Sequence, residues 1–153
     1  ILLGALEAMT RTGLRPRRRT TFHFSNFEEV GHGASSGVPQ DVAELVAVDM
    51  GALGEGLQGN ERAASICAMD SGGPYDLALR RRLVALARQY EIPYHLDIYP
   101  HYGSDAEAAL RAGGDYRIAL FGPGVDASHS FERTHRDGLE ASTRLLLAYL
   151  LSD

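Results

Sequence analysis

Apolar residues recur along the chain with helical and strand periods, and the switches between the two mark out its elements. From Ile1 to Thr12, Leu2, Leu3, Leu6 and Met9 fall at helical spacing, and Gly13 and Pro16 end the pattern. Thr20 to Phe27, rich in β-branched and aromatic residues with Phe22 and Phe24 two apart, predicts a strand running out at Glu28 and Glu29. Glycines at Gly31, Gly33 and Gly37 loosen the next stretch; Pro39 to Leu45 predicts a short helix, and Leu45 to Val48 a brief strand ending at Asp49. The glycine-rich loop Gly51 to Gly59 leads to a strand over Ala64 to Met69. With no helix between these two strands, they are expected to pair antiparallel, with Cys67 buried.

Tyr75 to Glu91 sets Leu79, Leu83, Leu86, Ala87 and Tyr90 on one helical face, with Arg80, Arg81, Arg82 and Arg88 mostly outside it, and Ile92 and Pro93 stop the helix. A strand over Tyr94 to Tyr99 follows, then Ser104 as N-cap of a helix from Asp105 to Ala112. Tyr116 to Phe121 predicts a strand entering a turn through Gly122, Pro123 and Gly124, with His129 beyond it. Asp137 to Leu151 closes the chain as a helix with Leu139, Leu145, Leu146, Tyr149 and Leu150 on its core-facing stripe. Strands alternating with helices imply an α/β domain of three layers, helices on both faces of a mostly parallel sheet that carries an antiparallel strand.

Composition narrows the chemistry. The chain has 153 residues, 44% of them apolar, enough for one domain with a real core. All fifteen cationic residues are arginine, so no Schiff-base, P-loop or general-base lysine is available. A net charge of −5 argues against nucleic acid as the main partner. The single cysteine, Cys67, forbids an internal disulfide and a multi-cysteine zinc site, and points to a reducing compartment. No apolar run reaches bilayer-spanning length and no leader opens the chain, so a soluble, cytoplasmic protein without membrane partners is expected. Ile1 stands inside a running helix, which suggests a fragment.

In an open α/β sheet, ligands gather where loops leave the carboxyl ends of the strands. Glu28, Glu29, Asp49, Asp105 and His129 all follow strand ends, and their oxygen and imidazole donors suit zinc, cobalt or manganese. Each also has an ordinary reading. Adjacent glutamates on a loop are commonly just solvated, and Asp49 and Asp105 suit turn and helix caps. The other histidines, His23, His32, His95, His101 and His135, show no helical metal-binding pair and are assigned to packing, exposure or support.

Four segments in order carry a resemblance. Phe24 to Ala34 (FSNFEEVGHGA), Val46 to Asp49, Tyr102 to Ala106 (YGSDA) and Gly122 to Glu132 (GPGVDASHSFE) resemble successive motifs of the TET-type dinuclear metallo-aminopeptidases, family 42 of the metallopeptidases, and Asp137 to Glu140 resembles the start of the family's last helix. The resemblance implies a zinc-peptidase-like fold and a site with two divalent ions, zinc foremost with cobalt and manganese as alternatives. It makes Glu28 the general base, Glu29 a ligand of one metal, Asp49 a ligand of the other, His129 the partner of Glu29, and Asp105 a supporting residue behind them. The family also uses a histidine from an early loop and a bridging aspartate just upstream of the first helix. Neither is found, so the 153 residues are expected to be the C-terminal part of one catalytic domain, without the N-terminal part and the inserted dimerisation domain, and inactive alone.

The implied activity is removal of the N-terminal residue of peptides, by a homo-oligomer that is a dodecamer in the intact family. His32 and Gly33 follow the glutamates where many members carry a longer leucine-arginine-glycine stretch. FSNFEEVGHGAS and GVDASHSFERTH resemble a proteobacterial branch associated with N-acetylglutaminylglutamine amide osmoprotectant operons, which implies a small amide or peptide substrate. Two competing readings are a non-catalytic or amide-processing homologue and a serine hydrolase. The second lacks any Gly-x-Ser-x-Gly elbow.

Overall fold

The computed structural model describes residues 1–153. Its helices are α1 (Leu2–Thr12), α2 (Leu77–Gln89), α3 (Asp105–Arg111) and α4 (Arg136–Leu151), and its strands β1 (Glu44–Val48), β2 (Gly51–Ala52), β3 (Ala64–Asp70), β4 (Gly73–Pro74), β5 (Tyr94–Tyr99) and β6 (Arg117–Val125). Parallel pairing dominates: β1 and β2 both lie along β6, and β5 lies along β3. Two contacts are antiparallel, β3 against β6 and the short β3–β4 hairpin.

Alternation along the strands sends side chains to two cores. Ala64, Ile66, Ala119 and Phe121 face a layer of α1, α2 and α4, built on Met9, Leu79, Leu83, Leu86, Leu145 and Leu146. Ala47, Cys67, Ile118 and Leu120 face the other way, against Tyr75, Tyr99 and Ala106 of α3. The three-layer mixed α/β architecture is therefore as the periodicity predicts, and β6, covered on both sides, is buried from Ile118 to Val125. Helix ends use local chemistry: Gly13 closes α1 in the left-handed region at φ 71°, and Asp76 caps α2 by accepting the Leu79 amide at 2.7 Å.

Several expectations need correction. Thr20 to Phe27 forms no strand: it has no regular structure through Ser25, bends at Asn26 and Phe27, and pairs with no strand. It runs opposite the free edge of β1, and a cavity of about 770 Å³ lies between them, lined by Phe22, Phe24, Val46 and Val48 among others. The short helix over Pro39 to Leu45 is a turn at Gln40 and Asp41. The strands over Leu45 to Val48 and Ala64 to Met69 do run in opposite senses, yet β6 lies between them.

Gly122, Pro123 and Gly124 form no turn; they continue β6, because the sheet needs their small size. A Cβ on Gly122 would stand 1.9 Å from the Asp49 carbonyl oxygen, and one on Gly124 2.3 Å from that of Asn60. Pro123 falls where β6 exchanges β1 for β2 as its neighbour, a place where a missing N–H is tolerated. Ser104 does occupy the N-cap of α3 but makes no capping bond, its Oγ being engaged with the Tyr75 hydroxyl at 2.7 Å. Tyr90 and Leu139, expected on core faces, are exposed.

Candidate metal centre

Glu28 and Glu29 sit on a single 3₁₀ turn, Glu28–Val30, that replaces a strand end. Phe27 enters the turn at φ 61°, unusual for a bulky residue, and its carbonyl accepts the amides of Val30 and His32. Asp105 fastens this loop from the other side of a cleft. Its Oδ1 accepts the Ala34 amide at 2.8 Å, and its Oδ2 accepts the Ser25 hydroxyl. One carboxylate on α3 thus holds both ends of the segment that carries the two glutamates.

Asp49 follows β1 directly, its amide donating to the Phe121 carbonyl and its Oδ1 accepting the Met50 amide at 2.7 Å. His129 comes from a loop after β6 that Asp126 and Arg133 close by exchanging backbone hydrogen bonds. Its backbone is left-handed at φ 63°, and its amide is held by Glu132 Oε1 at 3.0 Å. That posture brings His129 Nε2 to 3.2 Å from Glu29 Oε2, with both side chains about three-quarters exposed.

Glu28, Asp49 and Asp105 line one cavity, while Glu29 and His129 pair with each other outside its lining, close enough for their charges to act on Glu28. Burial raises the Glu28 carboxyl to about 7, helped by the negative charges of Asp49, Asp105 and Glu29 and opposed by His129. Asp49 is raised as well, by burial first, with Glu29 and Asp105 adding to it while the Met50 amide and the Tyr102 hydroxyl pull the other way. No arginine forms an ion pair with Glu28, Asp49 or Asp105, in a chain whose other carboxylates often find one. Crowded acids beside an imidazole, without a guanidinium to neutralise them, have the donor chemistry of a divalent-cation site. Yet no three His, Cys, Asp or Glu side chains converge closely enough to form a ready cage. The donors fit a cation; the residues present supply only part of a coordination shell.

One neighbour escaped the sequence reading. Tyr102 places its hydroxyl beside Asp49, within reach of Glu28, fully out of solvent and without a well-formed hydrogen bond. Its signal was its place at the head of the YGSDA segment, but an aromatic residue before a glycine reads first as packing.

Comparison with known proteins shows what the whole chain is similar to. The family model described as M42 glutamyl aminopeptidase matches residues 1–145. A protein of Bacillus subtilis strain 168, YhfE, whose name gives it as a candidate aminopeptidase, is 50% identical over 152 residues, 99% of this chain and 44% of its own length. The solved structure of PhTET1-12s, a dodecamer in its asymmetric unit, superposes with a TM-score of 0.71 at 25% identity, over 84% of this chain and 40% of that one. The TET aminopeptidase of the marine-sediment archaeon Thaumarchaeota archaeon SCGC AB-539-E09 reaches 0.79 at 19% identity, over 97% and 45%, which shows the shared fold. The chain thus spans less than half the length of these relatives, and it belongs to the M42 glutamyl aminopeptidase family.

Proposed function

We propose that this chain is the C-terminal part of a metal-dependent aminopeptidase catalytic domain, which removes the N-terminal residue of small peptides once the rest of the protein completes its site. The reading rests on Glu28 and Asp49 lining one acidic cavity without an arginine partner, beside the Glu29–His129 pair. Glu29 and His129 would hold one divalent ion and Asp49 the other, zinc foremost, with cobalt or manganese also suited to such donors. When bound, the ions supply positive charge that acidifies a water and polarises the scissile carbonyl.

Glu28 does the proton work. As a carboxylate it takes a proton from the attacking water onto a carboxyl oxygen, and as a carboxylic acid it returns that proton to the leaving amine. Asp105 keeps the glutamate loop in place through Ser25 and Ala34 and touches no reacting atom. The half-length coverage of the relatives supports a division of the site, with the remaining ligands supplied from outside these 153 residues, which alone would be inactive. The dodecamer of PhTET1-12s supports a homo-oligomeric enzyme, and no helix here is long and apolar enough to cross a membrane.

The test is hydrolysis of aminoacyl p-nitroanilides by the intact protein. Activity should disappear with a chelator, return with added Zn²⁺, Co²⁺ or Mn²⁺, and resist a serine-directed reagent. Full activity in the demetallated protein would refute the proposal.

A further inference from the structure

The hydroxyl of Tyr102 is buried against the proposed metal ligand Asp49 without a well-formed hydrogen bond, as is His23 Nε2 on the lining of the neighbouring cavity. Leaving a buried donor unpaired costs about 1–3 kcal/mol, so such groups call for a reason.

The ring is not free to turn away. The Tyr102 amide donates to the Tyr99 carbonyl at 3.1 Å, and its own carbonyl accepts both the amide and the hydroxyl of Ser71, at 3.0 and 2.6 Å. Its ring also tilts against that of Tyr99 at 5.6 Å between centroids. Ser71 belongs to the turn between β3 and β4, where Asp70 is bonded to Tyr75, and Tyr75 in turn to Ser104. A braced hairpin therefore aims this hydroxyl. The Asp49 carboxylate has one well-formed donor, the Met50 amide on Oδ1, and the Tyr102 hydroxyl beside it.

We propose that Tyr102 is a positioning residue of the metal centre: it donates its phenolic hydrogen to Asp49 when a cation is bound, fixing the carboxylate between the Met50 amide and the tyrosine so that its remaining lone pairs face the metal. Donors behind a ligating carboxylate commonly change metal affinity by 10–100-fold. This inference rests on the metal-dependent reading above.

The test is Tyr102→Phe in the intact protein, with Co²⁺ as the probe. Co²⁺ affinity should fall about 10–100-fold by competition against a chelating indicator, and the visible absorption of the bound Co²⁺ should shift. The metal-free variant should melt at or above the wild-type temperature, because the substitution removes an unpaired buried hydroxyl. A merely structural tyrosine would lower the melting temperature of the metal-free protein and leave the Co²⁺ spectrum alone. Tyr99→Phe, which breaks the bond to the Ser65 hydroxyl, serves as the converse control and should lose stability without changing the spectrum. Wild-type affinity and spectrum in Tyr102→Phe would overturn the inference alone, and absence of Co²⁺ binding by the unaltered protein would overturn the metal reading with it.

Discussion

The backbone of Gly33 passes so close to Asp105 that a Cβ placed on it would stand 1.7 Å from Oδ1 and 2.7 Å from the carboxyl carbon. A methyl group there would collide with the carboxylate that accepts the Ala34 amide and the Ser25 hydroxyl. Gly33→Ala should therefore destabilise the protein by about 1–3 kcal/mol, the usual range for forcing volume into a tight contact. Urea unfolding measures it, and a wild-type midpoint would show that Asp105 yields freely.

Asp105→Ala leaves space but removes both acceptors. The segment from Ser25 to Ala34 should open more often, and loss of bonds worth about 1 kcal/mol each should speed amide exchange there by about fivefold or more. Exchange in α2, which lies on the opposite face of the sheet, should stay unchanged. Mass spectrometry resolves the two regions.

Glu28→Gln keeps the size of the proposed base and removes its proton chemistry. Turnover of aminoacyl p-nitroanilides by the intact protein should fall about 10²–10⁴-fold, with metal content and peptide binding retained. Unchanged kcat would take Glu28 out of the mechanism.

The same substitution has a signature in the metal-free protein. The folded-state Glu28 carboxyl is raised from 4.5 to about 7, so between these values the folded state holds a proton that the unfolded state has lost. Stability from this group is fully present below about 4.5 and declines as pH rises through about 7. Thermal melts across this range should show a fall that Glu28→Gln flattens. Glu44 is held below the ordinary carboxylate value by its hydrogen bonds to Tyr149 and Arg18, which outweigh its burial, so its contribution has the opposite sign and fades as pH drops towards the acid range.

Glu44 also joins separate parts of the chain. Its carboxylate meets Arg18 at 2.7 Å, Arg117 at 2.8 Å and the Tyr149 hydroxyl at 2.7 Å, while Arg18 and Arg82 lie over the Tyr149 ring, each 5.2 Å from its centroid. Removing the one acid would leave arginines facing each other. Because they reach solvent, Glu44→Ala should cost about 2 kcal/mol, below the figure for a fully buried pair. Denaturant unfolding provides the check.

The three-layer plan was legible because helices such as α2 advertise one apolar face, and strands such as β3 are continuous apolar runs. Strand partners were harder to read. Phe22 and Phe24 have the alternation of a strand, yet their segment forms none, because alternation specifies a buried side without naming a neighbour to bond with. Gly122-Pro123-Gly124 carries the composition of a turn, and only the approach of the Asp49 and Asn60 carbonyls explains its place inside β6.

The cleft was legible for a different reason. Asp49 and His129 follow strands and Asp105 opens a helix, where an open sheet exposes them, while Glu28 and Glu29 lie on a 3₁₀ turn in place of the expected strand end. What the one-dimensional pattern concealed was the means of holding them: the two hydrogen bonds of Asp105, the left-handed backbones of Phe27 and His129, and the buried tyrosine beside Asp49. These depend on pairs of residues up to 80 positions apart, Ser25 and Asp105 among them.

The free edge of β1 has a consequence for handling the protein. Backbone groups from Glu44 to Val48 are satisfied on one side by β6, and on the other they face a cavity rather than a strand. An edge of this kind is a template for any extended chain that reaches it, including another molecule's copy of the same edge. Arg18 and Arg19 stand at its rim, each already paired with an acid, Glu44 and Asp41. Self-association of these 153 residues should therefore grow with ionic strength, as salt screens the net charge of −5 that each copy carries.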